Sequence, residues 1–400
     1  MGYVNMNSLV KWKENIRDAV NIKYKHIFEN SFSYHIRKDR EARDLVVNTI
    51  NRFYKDNIFC IQAPIWVGYK ITNKCNLNCI HCWANNSNYQ PSKEEIFTAI
   101  DKLINLQIYF IGLSGGELFI REDIFEVLAY IKSRGMYVEL FTNAILLDEE
   151  KINVLESILD KRFDIIQVSL DGSNKEVFEK QRKTIFFDRV INNIKVLKQK
   201  GFKVRISYVA THENVYDIFN TYKLISNIGV EGFSISPVYP KNKGKEIHKL
   251  LNMNIYYDEL FKCIQYNSDV ELVYFLQIDF FEKIYQLVEN IQLPYRIPYR
   301  ITTGYISIYI NANGNIYPEF ELEYEEFYLG NIYYDSWEDI LLKIKSNELL
   351  RAGRNLTNTK CEKCKFMSIC LGHSYEQAYE IYGDFNKPNP YCKLREEYHE

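Results

Sequence analysis

The sequence predicts an α/β protein: a partial (β/α)6 barrel, preceded by a mainly helical segment and followed by a small, cysteine-bearing α+β unit. Three observations predict this. Between residues 62 and 240, six short apolar runs recur, each followed by a polar stretch of helical length. The first run exits into three cysteines, Cys75, Cys79 and Cys82, spaced C-x3-C-x2-C. Four more, Cys361, Cys364, Cys370 and Cys392, gather near the end of the chain.

Residues 1–61 read as helix, most clearly over 41–54, where apolar positions recur at three and four residues. Such a segment caps the barrel as a helical layer, or, over residues 20–58, serves as a small peptide-recognition element. The barrel follows over 62–240, with strands predicted at 65–72, 108–113, 137–142, 164–170, 203–210 and 232–238. Helix starts are marked by Ser92 before Glu94 and Glu95, and by Asp148 before Glu149 and Glu150, where acidic groups meet the positive end of a helix. Six parallel units close only part of the circle that eight complete in a TIM barrel. The gap leaves a lateral opening for a large substrate, and catalytic residues belong at the C-terminal strand ends. Residues 241–299 read as a helical connector carrying Cys263, and 300–400 as the small domain, opened by an alternating run at 305–310 and a turn at Gly314.

Composition narrows the function. At 400 residues the chain is long enough for two domains or one large barrel with appendages. A formal net charge of -2 gives no basic footprint for nucleic acid. No apolar run approaches the ~18 residues that a membrane span needs. The start is polar and charged, unlike a secretory signal, and nine cysteines are an odd count for a disulfide framework. A cytoplasmic protein with free thiols, bound to neither nucleic acid nor membrane, is expected.

Iron–sulfur clusters usually take four cysteine ligands, so Cys75, Cys79 and Cys82, without a fourth nearby, leave one iron open to a small molecule. Zinc is the competing reading, but His81 lies inside the run, where ring and thiolates hardly converge on one tetrahedral ion. The text from Lys70 to Trp83, KITNKCNLNCIHCW, resembles the signature of the radical S-adenosylmethionine (SAM) enzymes. The resemblance implies that a [4Fe–4S] cluster on the three cysteines binds SAM by its amino and carboxylate groups. Reductive cleavage then yields a 5′-deoxyadenosyl radical that removes a hydrogen atom from substrate.

The resemblance extends to the SAM contacts it implies. Ser114-Gly115-Gly116-Glu117 is similar to the family's glycine-glycine-glutamate segment, which receives the methionine amino group. Asn143, Ser169 and Asp171 fall at the next strand ends, where small polar groups meet ribose. Arg182 is placed like the arginine that pairs with the SAM carboxylate, although with Lys180 and Lys183 it also reads as a solvated helix face. His81 stands where the family usually has an aromatic ring beside the adenine.

The second set closes its own site. Its C-x2-C-x5-C-x21-C spacing makes a poor zinc ribbon and resembles the C-terminal half of the SPASM domain, an auxiliary-cluster module behind many radical SAM enzymes. The full module holds two auxiliary clusters, but two ligand positions of the first read Glu319 and Ser374 here. Two [4Fe–4S] clusters in total are expected: one binding SAM, one fully ligated and serving electron transfer or structure. Glu319, Glu321 and Glu323 would lie where the lost cluster sat. By resemblance the substrate is a ribosomally made precursor peptide, crosslinked or oxidised, and the electron comes from a flavodoxin or ferredoxin. Rival readings are sulfatase-type maturation, disfavoured by Phe320 after Glu319; epimerisation, which needs a thiol such as Cys60 or Cys263; and a non-catalytic cluster sensor.

Overall fold

Strand β1 (Trp66–Lys70) holds the middle of the sheet, paired in parallel with β2 (Phe110–Ser114) on one side and β8 (Ser307–Ile310) on the other. The computed structural model describes residues 66–84, 89–106, 108, 110–274, 307–347, 355–364, 372, 374–390 and 392. From β2 the parallel run continues through β3 (Tyr137–Thr142), β4 (Ile165–Ser169), β5 (Lys203–Ala210), β6 (Gly232–Pro237) and β7 (Glu271–Tyr274). Beyond β8, two antiparallel strands, β9 (Asn315–Tyr317) and β10 (Gly330–Asn331), finish the sheet in the order β10-β9-β8-β1-β2-β3-β4-β5-β6-β7.

Between strands lie α1 (Lys93–Asn105), α2 (Ile124–Ser133), α3 (Glu149–Ile158), α4 (Lys175–Arg182) with α5 (Phe187–Gln199), and α6 (Ile218–Ile228). Their starts follow the predicted chemistry. Ser92 and Glu95 form a capping box on α1, each side chain accepting from the other's backbone N–H. The Asp148 carboxylate caps α3 by accepting from Lys151 N at 2.9 Å.

Alternation along β1 divides the molecule. Val67, Tyr69 and Ile71 sink fully into the core shared with Ile96, Ile100 and Leu103 of α1. Trp66, Gly68 and Lys70 therefore take the opposite face, the barrel interior. Space is tight at Gly68, where an added Cβ would stand 3.0 Å from the Trp66 ring, which would have to shift.

The six predicted strands are all present, and two features go beyond them. The expected helical connector contains α7 (Gly244–Ile247) and α8 (Met253–Gln265), but also β7, which extends the barrel edge next to β6. The run predicted to open the small domain pairs in parallel with β1 as β8, so the C-terminal part shares the barrel's sheet. The turn after it is as expected, with Gly314 at φ +82° between β8 and β9. Two further helices follow, α9 (Trp337–Ser346) and α10 (Tyr375–Tyr382). The helical segment predicted over 1–61, with its peptide-recognition reading and Cys60, lies outside the described residues. No helix among the described residues is long and apolar enough to cross a membrane.

Candidate SAM and iron–sulfur site

The cysteine loop leaves β1 and is held from three directions. Underneath, the glycine-glycine-glutamate turn after β2 lies against residues 72–74. Gly116 N donates to Thr72 O and Glu117 N to Lys74 O, both at 2.9 Å. A Cβ on Gly116 would fall 2.2 Å from the Lys74 carbonyl oxygen, and one on Gly115 2.7 Å from that of Thr72. Both glycines are therefore required by the approach of one backbone to another.

Glu117 itself is buried and its carboxylate is used internally. It accepts from Thr142 Oγ1 at 2.7 Å, Asn143 N at 2.7 Å and Phe119 N at 3.2 Å. Burial pushes its carboxyl up, and these donors oppose the shift. Asn143 continues the brace: its Nδ2 donates to Asn76 Oδ1 in the cysteine loop at 2.8 Å, and its Oδ1 accepts from Ile145 N at 3.0 Å. The predicted SAM contacts Glu117 and Asn143 thus lock the ends of β2 and β3 to the cysteine loop.

On the far side, Asp171 organises a buried group. Its Oδ1 accepts from Val209 N at 2.7 Å, and its Oδ2 pairs with Arg182 Nε and stands 3.5 Å from His81 Nε2. Arg182 is buried, and its Nη1 lies 3.8 Å from Cys79 Sγ. Burial alone would lower the guanidinium's pKa, but Asp171 and Cys79 hold it well up. The three basic residues grouped by sequence therefore part company: Lys180 is exposed and pairs with Glu213, whereas Arg182 is committed to Asp171 and Cys79.

His81 is buried and joins the same network. Its Nδ1 accepts from Gln181 Nε2 at 3.0 Å, and Gln181 is oriented by accepting from Thr211 Oγ1 at 2.9 Å. That leaves the imidazole proton on Nε2, facing Asp171. Gln181 was missed by sequence reasoning, since an unremarkable glutamine carries no motif. Burial, outweighing Asp171, lowers His81 to about 4. An unfolded histidine titrates near ~6.5, so on acidification the unfolded chain takes up this proton first. Stability held by neutral His81 is complete above that range and lost as pH falls towards 4, by up to about 3 kcal/mol. Urea unfolding across pH should show that slope in the wild type and a shallower one in His81→Phe.

The third hold was not legible in sequence. The loop after β6 reaches over the cysteines: Asn242 Nδ2 donates to Trp83 O, and Lys243 Nζ to Asn78 Oδ1 and, at 3.4 Å, to Cys79 O. Lys241 Nζ donates to Glu321 O at 2.9 Å, and Trp83 packs on Phe320 with ring centroids 4.9 Å apart. The cysteine loop and the C-terminal part thus meet across one mouth.

The donor chemistry fits a cluster. Cys79 is buried, Cys82 half-buried and Cys75 on the outer side. Loss of hydration, with Glu117, Cys79 and Cys82 nearby, pushes the Cys75 thiol up to about 11. Burial also raises Cys79, against the pull of Arg182. Two thiols that resist ionising, with Cys82 in the same loop, suit a multi-iron centre whose positive charge offsets their thiolates. Ser169 ends β4, half-buried on the interior face.

In the second set, Cys361 and Cys364 share a turn, with Cys364 N donating to Cys361 O at 3.1 Å, and Cys392 N donates to Asn389 O at 3.1 Å. Cys370 lies outside the described residues. Ser374 caps α10, accepting from Gln377 N at 3.2 Å and donating to Glu376 Oε2 at 2.7 Å. Glu319 accepts from Ser307 Oγ at 3.2 Å. Burial, then Glu376 and Glu319, push Glu321 up. Cys263 is fully buried in α8, its thiol pushed up to about 12 by burial.

A parallel α/β barrel with a three-cysteine loop at its C-terminal mouth and a cysteine-bearing extension defines an iron–sulfur, SAM-dependent enzyme. Residues 69–225 match the radical SAM superfamily and residues 302–365 the SPASM iron–sulfur cluster-binding domain, and the chain is a radical SAM enzyme of this two-part kind. The AdoMet-dependent heme synthase of Methanosarcina barkeri is 26% identical over 361 residues, covering 84% of this chain and 97% of the relative. The subtilosin biosynthesis protein AlbA of Bacillus subtilis is 26% identical over 318 residues, covering 77% and 67%. Among solved structures, Streptococcus suis SuiB superposes with a TM-score of 0.67 at 17% identity, covering 89% of this chain and 83% of SuiB. SuiB has also been solved with its precursor peptide SuiA and with SAM.

Proposed function

We propose that the enzyme modifies a residue of a ribosomally made precursor peptide by radical chemistry, leaving it crosslinked or oxidised. The observation that carries this reading is the shared mouth, where Trp83 beside the cysteine loop packs on Phe320 and Lys241 bonds the backbone of Glu321. A substrate entering there meets both halves of the protein. SuiB, whose fold this chain shares, binds a precursor peptide, and AlbA is a biosynthesis protein of the bacteriocin subtilosin.

When bound at Cys75, Cys79 and Cys82, a reduced cluster with SAM supplies a 5′-deoxyadenosyl radical for hydrogen abstraction. The chain's own part is placement. Arg182, held by Asp171, keeps positive charge against Cys79; Glu117 and Asn143 fix the loop relative to β2 and β3; Lys243 closes over it. Ser169 and the glycine turn would meet SAM beside these braced side chains. We assign one further cluster to Cys361, Cys364, Cys370 and Cys392, with electrons supplied by a flavodoxin or ferredoxin. Ser374 as a helix cap supports the loss of the other auxiliary cluster.

Anaerobic reaction with dithionite, SAM and each short peptide found encoded near the gene should form 5′-deoxyadenosine and, with one of them, a peptide product of altered mass. Formation of 5′-deoxyadenosine without change in any neighbouring peptide would sink the peptide reading. The length of the match to the heme synthase favours a second reading, an iron tetrapyrrole substrate, which the same assay with a porphyrin in place of the peptide distinguishes.

A further inference from the structure

Lys70 ends β1 on the barrel-interior face, and only 4% of its surface is exposed. Among the described residues it makes no hydrogen bond and no ion pair within 4 Å. Its ammonium lies 5.9 Å from the centre of the Trp83 ring, and the charges that reach it from a distance are Glu323, Cys82 and Lys241. Glu323 is turned to Asn311, whose Nδ2 donates to it at 3.2 Å, and Lys241 to the backbone of Glu321. Burying an ammonium is costly unless a counter-charge compensates, and a cation–π contact at this range returns only part of that cost. Within the described fold only the Trp83 ring and the distant Glu323 carboxylate offset the charge of Lys70.

The surroundings suit a ligand. Lys70 sits in register with Ser114 on β2, and the half-buried Ser169, Ser207 and Ser234 stand in register across β4, β5 and β6. The row of Lys70 and Ser114 continues through Phe141, Gln167 and Arg205, which pairs with Glu139, and the row above it carries the three serines; among the described residues Lys70, on the side facing Trp83, Tyr309 and the C-terminal part, has no such partner. The glycine turn, Ser169 and Arg182 belong to the other side, along β2 to β4.

We propose that Lys70 is a specificity-determining residue that takes a carboxylate of the substrate, an Asp or Glu side chain or the C-terminus of the peptide, and so sets which residue faces the radical. This rests on the peptide reading above. A buried charge–carboxylate pair with its hydrogen bonds is strong and directional, and it would position the chain for selective abstraction.

The test uses reconstituted holoenzyme and the peptide that the mass assay above shows to be modified, together with versions in which each Asp or Glu is replaced by its amide and the C-terminus is amidated. Binding is read by fluorescence anisotropy, SAM binding by the change in the reduced cluster's EPR spectrum, and stability by thermal unfolding. Lys70→Met should weaken peptide binding at least tenfold, leave the SAM-induced spectrum intact and raise Tm, because an uncompensated buried charge is removed. Lys70→Arg should retain most of the affinity. One amide version should bind the wild type as weakly as the native peptide binds Lys70→Met, with no further loss when the two changes are combined. Equal peptide affinity in Lys70→Met and wild type overturns the proposal while sparing the peptide reading. A lost SAM response with unchanged peptide affinity assigns the carboxylate to SAM and overturns it too. If the wild type binds no peptide, the peptide reading fails and this inference with it.

Discussion

Cys79→Ser is expected to abolish SAM cleavage. Cys79 is the buried member of its set and the one that faces the Arg182 guanidinium, at 3.8 Å. A hydroxyl is a poor soft ligand for iron, so the cluster is lost or unable to hold SAM productively. The loss should exceed the roughly 10–100-fold that removing an outer partner of a ligand costs, taking 5′-deoxyadenosine below detection in the dithionite assay. Iron analysis should show the remaining cluster still present. The matching change in the second set, Cys361→Ser, should behave differently: 5′-deoxyadenosine continues to form, but the modified peptide does not accumulate. If Cys79→Ser cleaved SAM at the wild-type rate, or Cys361→Ser abolished cleavage, the assignment of roles to the two sets would be wrong.

Asp171→Asn should cause the largest loss of stability of any change to a polar residue at the site. Asp171 is fully buried, and its carboxylate is the counter-charge of a buried arginine. The amide keeps the shape but leaves Arg182 charged and uncompensated, which costs about 3–5 kcal/mol. The same change removes the acceptor facing His81 Nε2 and loosens the guanidinium from Cys79. Denaturant unfolding of the apoprotein should show the loss, and SAM cleavage should fall with it. The double variant Asp171→Asn, Arg182→Met should recover much of the stability without the activity. A single Asp171→Asn variant within about 1 kcal/mol of wild type would show that the pair is not the structural centre described here.

Much of this was legible locally. Alternation and turn signals placed six strands to within two residues or so, because a strand's period of two and a helix cap are written within a few positions. Ser92, Asp148 and Gly314 did as their types require. The additions of β7 and β8 were not legible. A four-residue strand such as Glu271–Tyr274 carries too little periodicity to separate it from a connector, and its partner β6 lies more than thirty residues away.

Site residues divide along the same line. That Cys75, Cys79 and Cys82 share one loop, and that a glycine turn follows one β/α unit later, are properties of the sequence itself, since spacing along the chain sets them. What each polar side chain does was decided by the tertiary structure. Glu117, Asn143, Asp171 and Arg182 read equally well as ligand contacts until burial is known. Once buried, each must satisfy its charge and hydrogen bonds with whatever the fold brings near, and the fold brings Thr142, Asn76, Val209 and Cys79. Lys70 is the converse case: the sequence placed it at the strand end before the cysteines, and only the folded barrel buried it with no ion-pair partner within 4 Å among the described residues.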